Sequence, residues 1–293
     1  AYQLESRIES LLVKDGFVKG VIVDRKGRIE KLSSRIVVDA EGISSMLLKQ
    51  LGLRTFDRHA LVNAAQAEVE GAKNLEPDMV EVFLGRKYAP GFYAWLIPTN
   101  DERAKIGLAT RTGSPKEFLQ RLMLRHPIAS DKLRKAKIVR TAFHPLTLGG
   151  PIPKAYSNGF LAIGDVASQV KPTTGGGVIL GMICAKIAAQ VASDSLRSND
   201  FSASFLSSYQ RRCEQVLGFD MAVMLRIRRM LDAMSDSKID ELISVCATLR
   251  LDKTLVNMKD IDFQGKSLLR AVRSPRMLAF LAYLLFLYPT ANL

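Results

Sequence analysis

The chain has 293 residues, 47% hydrophobic and 24% charged, a globular composition that excludes disordered and fibrous classes and allows one large domain or two interlocked ones. The 42 Lys and Arg against 29 Asp and Glu give a net charge of +13, which suits a phosphorylated cofactor or an anionic membrane surface; without an RNA-binding aromatic signature, zinc-finger spacing or basic coiled-coil region, nucleic acid is not expected as a partner. Cys184, Cys213 and Cys246 are far apart and lack a CxxC spacing, so neither a disulfide framework nor a zinc site is supported, and a reducing, cytoplasmic setting fits best.

In chain order, the stretch FVKGVIVDRKGRIEKLSSRIVVDAEG (17–42) reads as two strands around a DRKGR turn. A third apolar run, Ile36 to Val38, ends at Asp39 and reads as a parallel strand, with Glu41-Gly42 leading into a helix. Ser44 and Ser45 are the expected caps of the helix MLLKQLGL, and Gly52 suits its end. Residues 79–85, 91–98 and 103–111 are short strands joined by turn residues. In the middle one, Tyr93, Trp95 and Ile97 share one face, and Phe92, Ala94 and Leu96 the other. Both faces are apolar, so the strand is covered on both sides or turns one side to a non-aqueous ligand. A helix over 115–126 follows, capped by Ser114 with Glu117 three residues on. The basic residues of 132–140 and 211–229 read as solvated helix faces, and FHPLTLGGPIP as a loop. His59, His126 and His144 are isolated and read as structural or surface histidines.

Residues 159–192 carry the densest signal. Leu161 to Ile163 form a buried strand, with Gly164 and Asp165 at its carboxyl end, where open α/β sheets bind ligands. Gly175, Gly176 and Gly177 then precede a small-residue helix whose free N–H groups and positive dipole end face the loop. With Pro172 as a rigid stop, this fits a planar or phosphate-bearing ligand; the alternative is a tight strand-to-helix turn packed on Gly181 and Ala185. Helix patterns continue at 201–217, 219–234, 238–249 and 265–288. The run MLAFLAYLLFLY (277–288), flanked by Arg273, Arg276 and Pro289, is shorter than the roughly 18–20 residues of a spanning helix. It reads as a buried terminal helix or an interfacial anchor.

IGDVASQVKPTTGGGVILGMICAKIAA resembles the second flavin-binding motif of the p-hydroxybenzoate-hydroxylase-like flavoproteins, and most closely that of the geranylgeranyl reductase family. VVDAEGISSMLLKQLGL is similar to that superfamily's acidic-Gly motif, and PGFYAWLIPTNDERAKIGLA to the reductases' own aromatic strand and its hairpin partner; KDIDFQGKSLL (259–269) is a fainter match to the tail. The resemblance implies an α/β, α+β-mixed architecture: an incomplete Rossmann-like FAD-binding domain (1–52 and 155–195) interleaved with an antiparallel β-sheet substrate domain (53–154), plus a C-terminal helical region (196–293). It implies FAD held by Glu41, Gly42, Gly164, Asp165, Pro172 and Gly175 to Gly177, and a polyprenyl chain lined by Tyr93, Trp95 and Pro98.

The implied activity is saturation of C=C bonds in geranylgeranyl chains of isoprenoid membrane lipids, with NADPH or ferredoxin as electron donor and a peripheral contact at the inner face of the cell membrane. Two other readings stand beside it: a flavin-dependent aromatic monooxygenase or halogenase of the same fold, and a non-catalytic lipid- or partner-binding module. There are departures from the family pattern. Glu41 stands where Asp is usual, Ser168 replaces a commoner glycine, and both an early cysteine motif and the G-x-G-x-x-G fingerprint are missing, so an upstream segment of roughly a hundred residues carrying that fingerprint is expected.

Overall fold

A computed structural model describes residues 2–100, 102–256 and 262–287. Strands β1 (Ser6–Lys14), β2 (Phe17–Arg25) and β3 (Arg28–Ser33) form an antiparallel meander. Its turns are Asp15-Gly16 and Lys26-Gly27, all four residues at positive φ, the pairing that matches the twist of the flanking strands. Strand β4 (Val37–Asp39) leads through a turn at Gly42–Ser44 to the short helix α1 (Met46–Gln50), which ends at Gly52 as expected. Then come β5 (Leu61–Glu70), β6 (Glu81–Leu84), β7 (Tyr93–Pro98) and β8 (Arg103–Thr110), helices α2 (Pro115–Arg125) and α3 (Ala129–Leu133), and β9 (Lys137–Thr147). The last part holds β10 (Tyr156–Ser157), β11 (Phe160–Ala162), α4 (Val178–Ser198), α5 (Ala203–Ala233), α6 (Asp236–Thr248), α7 (Leu251–Leu255), α8 (Gln264–Ala271) and α9 (Pro275–Leu287).

The described residues fall into two compact units. The first contains 2–58, 147–225 and 262–266. Its centre is the parallel pair β4 and β11, with Asp39 opposite Ala162, extended by β10. Helices α4 and α5 bury Leu180, Cys184 and Val191, and Leu206, Tyr209 and Leu217, in the same core as Phe160 and Leu161.

The second unit contains 59–100, 102–146, 226–256 and 267–287. Its sheet has the order β6-β7-β8-β5-β9. Leu119 and Leu122 of α2 and Leu133 of α3 pack with Ala94, Leu96 and Ile106 in one core. Ser114 caps α2 by accepting from the Glu117 N–H, as its spacing predicts. Helices α7, α8 and α9 form a smaller cluster on Leu251, Ala271 and Met277.

Several expectations change. The helical region after 196 is not a unit of its own: residues 203–225 belong to the first unit, and 226–233 of the same helix to the second. Gly218 does not end a helix. A mid-helix glycine costs about 1 kcal/mol, whereas burying Leu217 and Met221 on either side contributes about 1.5–3 kcal/mol each, so α5 runs through. The run 265–288 breaks into α8 and α9 at Val272–Ser274, before Pro275. Residues 137–147 are not helix and loop but the edge strand β9, whose exposed Lys137 and Arg140 discourage pairing with another chain. In the other basic run Arg226 and Arg229 are exposed, but Arg228 is buried and ion-paired to Asp232 at 2.6 Å. Pro289 and residues 259–261 lie outside the described residues.

Candidate cofactor site and apolar sheet face

In the first unit the carboxyl ends of β4 and β11 set the site. Asp39 is 2% exposed; its Oδ1 accepts from the Glu41 N–H at 2.9 Å, and its Oδ2 has no partner. Burial pushes its pKa up to about 6; the Glu41 N–H opposes this shift and the charge on Glu41 adds to it. Sequence reasoning passed over Asp39 in favour of Glu41, although its place at the end of an apolar strand was visible.

Glu41 is already engaged. Its Oε1 accepts from the Leu47 N–H at 2.8 Å and its Oε2 from the Ser44 hydroxyl, so it caps α1. The expected serine cap is not formed: Ser45 sits in the left-handed region at φ 50° and makes no capping bond. The Gly42–Ser44 turn packs beside the turn Gly164–Ala167, so the turn that follows Glu41 and the turn that holds Gly164 and Asp165 are neighbours.

A buried hydrogen-bond chain fixes that second turn. Gly164 N–H donates to Gln169 Oε1 (2.8 Å), Gln169 Nε2 donates to the Tyr209 hydroxyl (2.7 Å), and that hydroxyl donates to the Ala162 carbonyl (2.9 Å). Ser168, at the position where glycine is commoner, adopts φ 53°. A left-handed residue other than glycine costs roughly 1–2 kcal/mol, which the 2.7 Å bond between its hydroxyl and that of Thr147 helps offset.

The loop from 169 to 177 folds back on itself: Lys171 N–H donates to the Gly176 carbonyl, and Gly175 N–H to the Lys171 carbonyl. Pro172 is buried. Gly175 has φ +72°, a conformation glycine alone adopts freely. A β-carbon on Gly176 would stand 2.8 Å from Lys171 Cε, and one on Gly177 2.9 Å from Asp165 Oδ1. At these two positions a side chain would have to displace Lys171 or Asp165. Gly177 precedes α4 and offers no side-chain cap, and a helix N-terminus with its N–H groups and positive dipole end suits an anion. Val178, Ile179 and Met182 are exposed beside them.

Helix α4 is long and apolar enough to cross a membrane by length and composition; here its Leu180, Cys184 and Val191 lie in the core of the first unit. The Cys184 and Cys213 thiols, distant in sequence, lie in the same core, and the neighbouring Cys213 together with burial pushes the Cys184 thiol up. They line a cavity of about 380 Å³ with Ile152, Tyr209 and Met221.

In the second unit the strand β7 bears out the alternation. Ala94 and Leu96 are fully buried under the helices, while Tyr93, Trp95 and Ile97 are half-buried on the opposite face. The cross-strand partners of Trp95 and Tyr93, Val82 and Leu84, are 54% and 44% exposed, so the face is apolar and open on the side of β6, while Ile97 stands beside Lys105 of β8. Pro98, at the strand end, falls on the alternate pleat from Tyr93 and Trp95. The Trp95 indole lies over Gly107, where a β-carbon would stand 2.4 Å from Cζ2, and its Nε1–H donates to Gln66 Oε1 at 3.1 Å. Phe92 stacks on Tyr93 at 4.3 Å. Burial raises the Tyr93 pKa, and the charge on Arg228 works against it, so its hydroxyl holds its proton at neutral pH. His126 is structural: its Nδ1 accepts from the Ile128 and Ala129 N–H groups, and burial lowers its pKa.

Residues 61–143, which contain this sheet except for the end of β9, match the geranylgeranyl reductase catalytic domain. Over 239 residues the chain is 32% identical to digeranylgeranylglycerophospholipid reductase 2 of Methanothermobacter thermautotrophicus, covering 80% of this chain and 60% of that one. The chain thus resembles geranylgeranyl reductases over most of its own length. Digeranylgeranylglycerophospholipid reductase of Methanocaldococcus jannaschii is likewise 32% identical, over 79% of this chain and 59% of its own. The chain thus spans about 60% of the length of these curated relatives. Among solved structures, a geranylgeranyl bacteriochlorophyll reductase-like protein of Thermoplasma acidophilum matches with a TM-score of 0.81 at 20% identity, covering 97% of this chain and 69% of that one. A flavin-dependent brominase matches at 0.64 and 14% identity, covering 95% and 69%. These two likenesses show that the chain shares their fold.

Proposed function

We propose that the protein is an FAD-dependent reductase that saturates C=C bonds of geranylgeranyl or related polyprenyl chains in isoprenoid membrane lipids. The observation that carries this reading is the open apolar face of Tyr93, Trp95, Ile97, Val82 and Leu84, within the residues matched by the reductase catalytic domain. Around Tyr93, Trp95, Val82 and Leu84 such a face removes water from a long hydrocarbon, which is what an isolated alkene requires. An aromatic hydroxylase or halogenase calls for a more polar, compact pocket.

The first unit suits the cofactor. Asp39 Oδ2 is buried without a donor, which a ligand hydroxyl would supply. The uncapped first turn of α4 and the glycine loop before it offer backbone donors to phosphate or to a negatively charged ring. Glu41 and Gly42, with Gly164 and Asp165, border the same turns, and Pro172 stiffens the loop. The hydride for the double bond would come from the reduced flavin. The chain's own part is to hold the donor groups fixed and the hydrocarbon dry and aligned.

The reading extends to a cytoplasmic protein touching the inner face of the membrane through α9, on which Leu278, Ala279 and Ala282 are exposed. Co-flotation with anionic vesicles checks that contact. The function itself is tested on the full-length protein: it should be yellow, bleach with dithionite, and reoxidise anaerobically on adding a geranylgeranyl lipid. A colourless full-length protein would sink the proposal.

A further inference from the structure

The glycine loop is held by a segment remote in sequence. Residues 262–266 pack in the first unit, although 226–256 before them and 267–287 after them pack in the second. Every residue of this stretch is engaged. Asp262 Oδ1 accepts from Lys171 Nζ at 2.5 Å, and Gln264 Oε1 accepts from the Thr173 hydroxyl at 2.6 Å. Phe263 packs against the core of the unit. Gly265 lies flush on α5, where a β-carbon would stand 3.0 Å from Asp220 Cα and 3.2 Å from Phe219 Cε1. Lys266 donates from its backbone N–H to Asp220 Oδ1 at 2.9 Å and from Nζ to the Val216 carbonyl at 3.1 Å. One end is thus seated on α5 and the other on residues 171 and 173.

The charges give the segment a second effect. Lys171 and Asp262 side chains are 11% and 33% exposed, so neither is fully screened by water, and removing one leaves the other uncompensated. The ammonium stem lies against Gly176, with Cε 2.8 Å from where its β-carbon would be.

We propose that residues 262–266 form a clip that positions the glycine loop, with Asp262 and Gln264 as positioning residues, and that Asp262 tunes the charge the loop presents by neutralising Lys171. The clip follows from the contacts alone; the charge effect rests on the flavin reading, since it acts on an anionic reduced ring.

Two measurements on the full-length protein separate these. The first is hydrogen exchange of the 173–177 amides without FAD, and the second is the midpoint potential of bound flavin. Gln264→Ala, which alters no charge, should speed exchange roughly tenfold and leave the potential unchanged. Asp262→Asn should speed exchange and raise the potential, because the released ammonium favours the reduced anion. Adding Lys171→Met to it should return the potential to the wild-type value while exchange stays fast, and Asp262→Glu should restore both. Wild-type exchange in Gln264→Ala and Asp262→Asn overturns the clip. An unchanged potential in Asp262→Asn overturns the charge effect. A protein that binds no flavin overturns the charge effect and the cofactor reading together, and the exchange measurement then decides the clip by itself.

Discussion

Gly177 lies directly against Asp165: a β-carbon on the glycine would stand 2.9 Å from Asp165 Oδ1 and 3.2 Å from Val170 Cγ2. The last glycine of the triple thus makes room for the acidic side chain at the other end of the same motif. Gly177→Ala should push Asp165 aside and weaken FAD binding about tenfold, or about 1.4 kcal/mol. Gly164→Ala meets no atom within 4 Å but must hold φ +74°, which costs about 1–2 kcal/mol of stability with a smaller effect on FAD. Flavin absorbance titrations and melting curves distinguish the two. Wild-type FAD affinity in Gly177→Ala would falsify the link between glycine and carboxylate.

Glu41 offers a separate test of structural against cofactor roles. Its carboxylate accepts from the Leu47 N–H and the Ser44 hydroxyl, so Glu41→Ala should cost about 0.5–2 kcal/mol, as for lost helix caps. Glu41→Gln keeps an acceptor oxygen and should recover most of that stability in urea titrations. An FAD affinity that falls in Glu41→Gln while stability holds would show that the negative charge serves the cofactor as well.

The parts of the fold that were readable share a cause. The strands β4 and β11 and the turns after them were legible because apolar runs end abruptly at Asp39 and at Gly164-Asp165, where the chemistry of the strand end is local; their pairing with each other was not. The Tyr93-Trp95 face was legible because alternation is local too. The edge strand β9 was not: its residues 137–144 are all exposed, so no buried stripe marks the period. Gly218 misled because its cost is set against burial of Leu217 and Met221, which depends on partners far away in sequence. Asp39's orphan oxygen and the Asp262–Lys171 pair are tertiary facts with no local signature.

Asp39 predicts a pH dependence with a definite sign. Its folded pKa, about 6, lies above the ordinary 3.8, so between these values the folded state binds more protons than the unfolded state. The stability it contributes is complete below about pH 3.8 and is lost as pH rises through about 6, by up to roughly 3 kcal/mol. Urea midpoints of the wild type minus those of Asp39→Asn should therefore fall between pH 4 and pH 7. A flat difference would mean that Asp39 ionises without penalty. If FAD donates a hydroxyl to Oδ2, the slope should shrink in the loaded protein.

Trp95 is the single tryptophan of the chain, which makes the apolar face directly observable. Its indole lies on bare Gly107 and donates to Gln66, so Gly107→Ala must lift the ring and break that bond. Leaving the Nε1–H of a half-buried indole unpaired costs roughly 1–3 kcal/mol, and the emission should shift as the ring is displaced. In the wild type, a geranylgeranyl lipid should move the emission to the blue by replacing water on this face. In Gly107→Ala the same titration should need about tenfold more lipid, equivalent to about 1.4 kcal/mol, with FAD affinity unchanged because the proposed flavin contacts lie in the other unit. An identical lipid titration in the variant would place the hydrocarbon away from Trp95 and remove the main support for a polyprenyl substrate at this sheet.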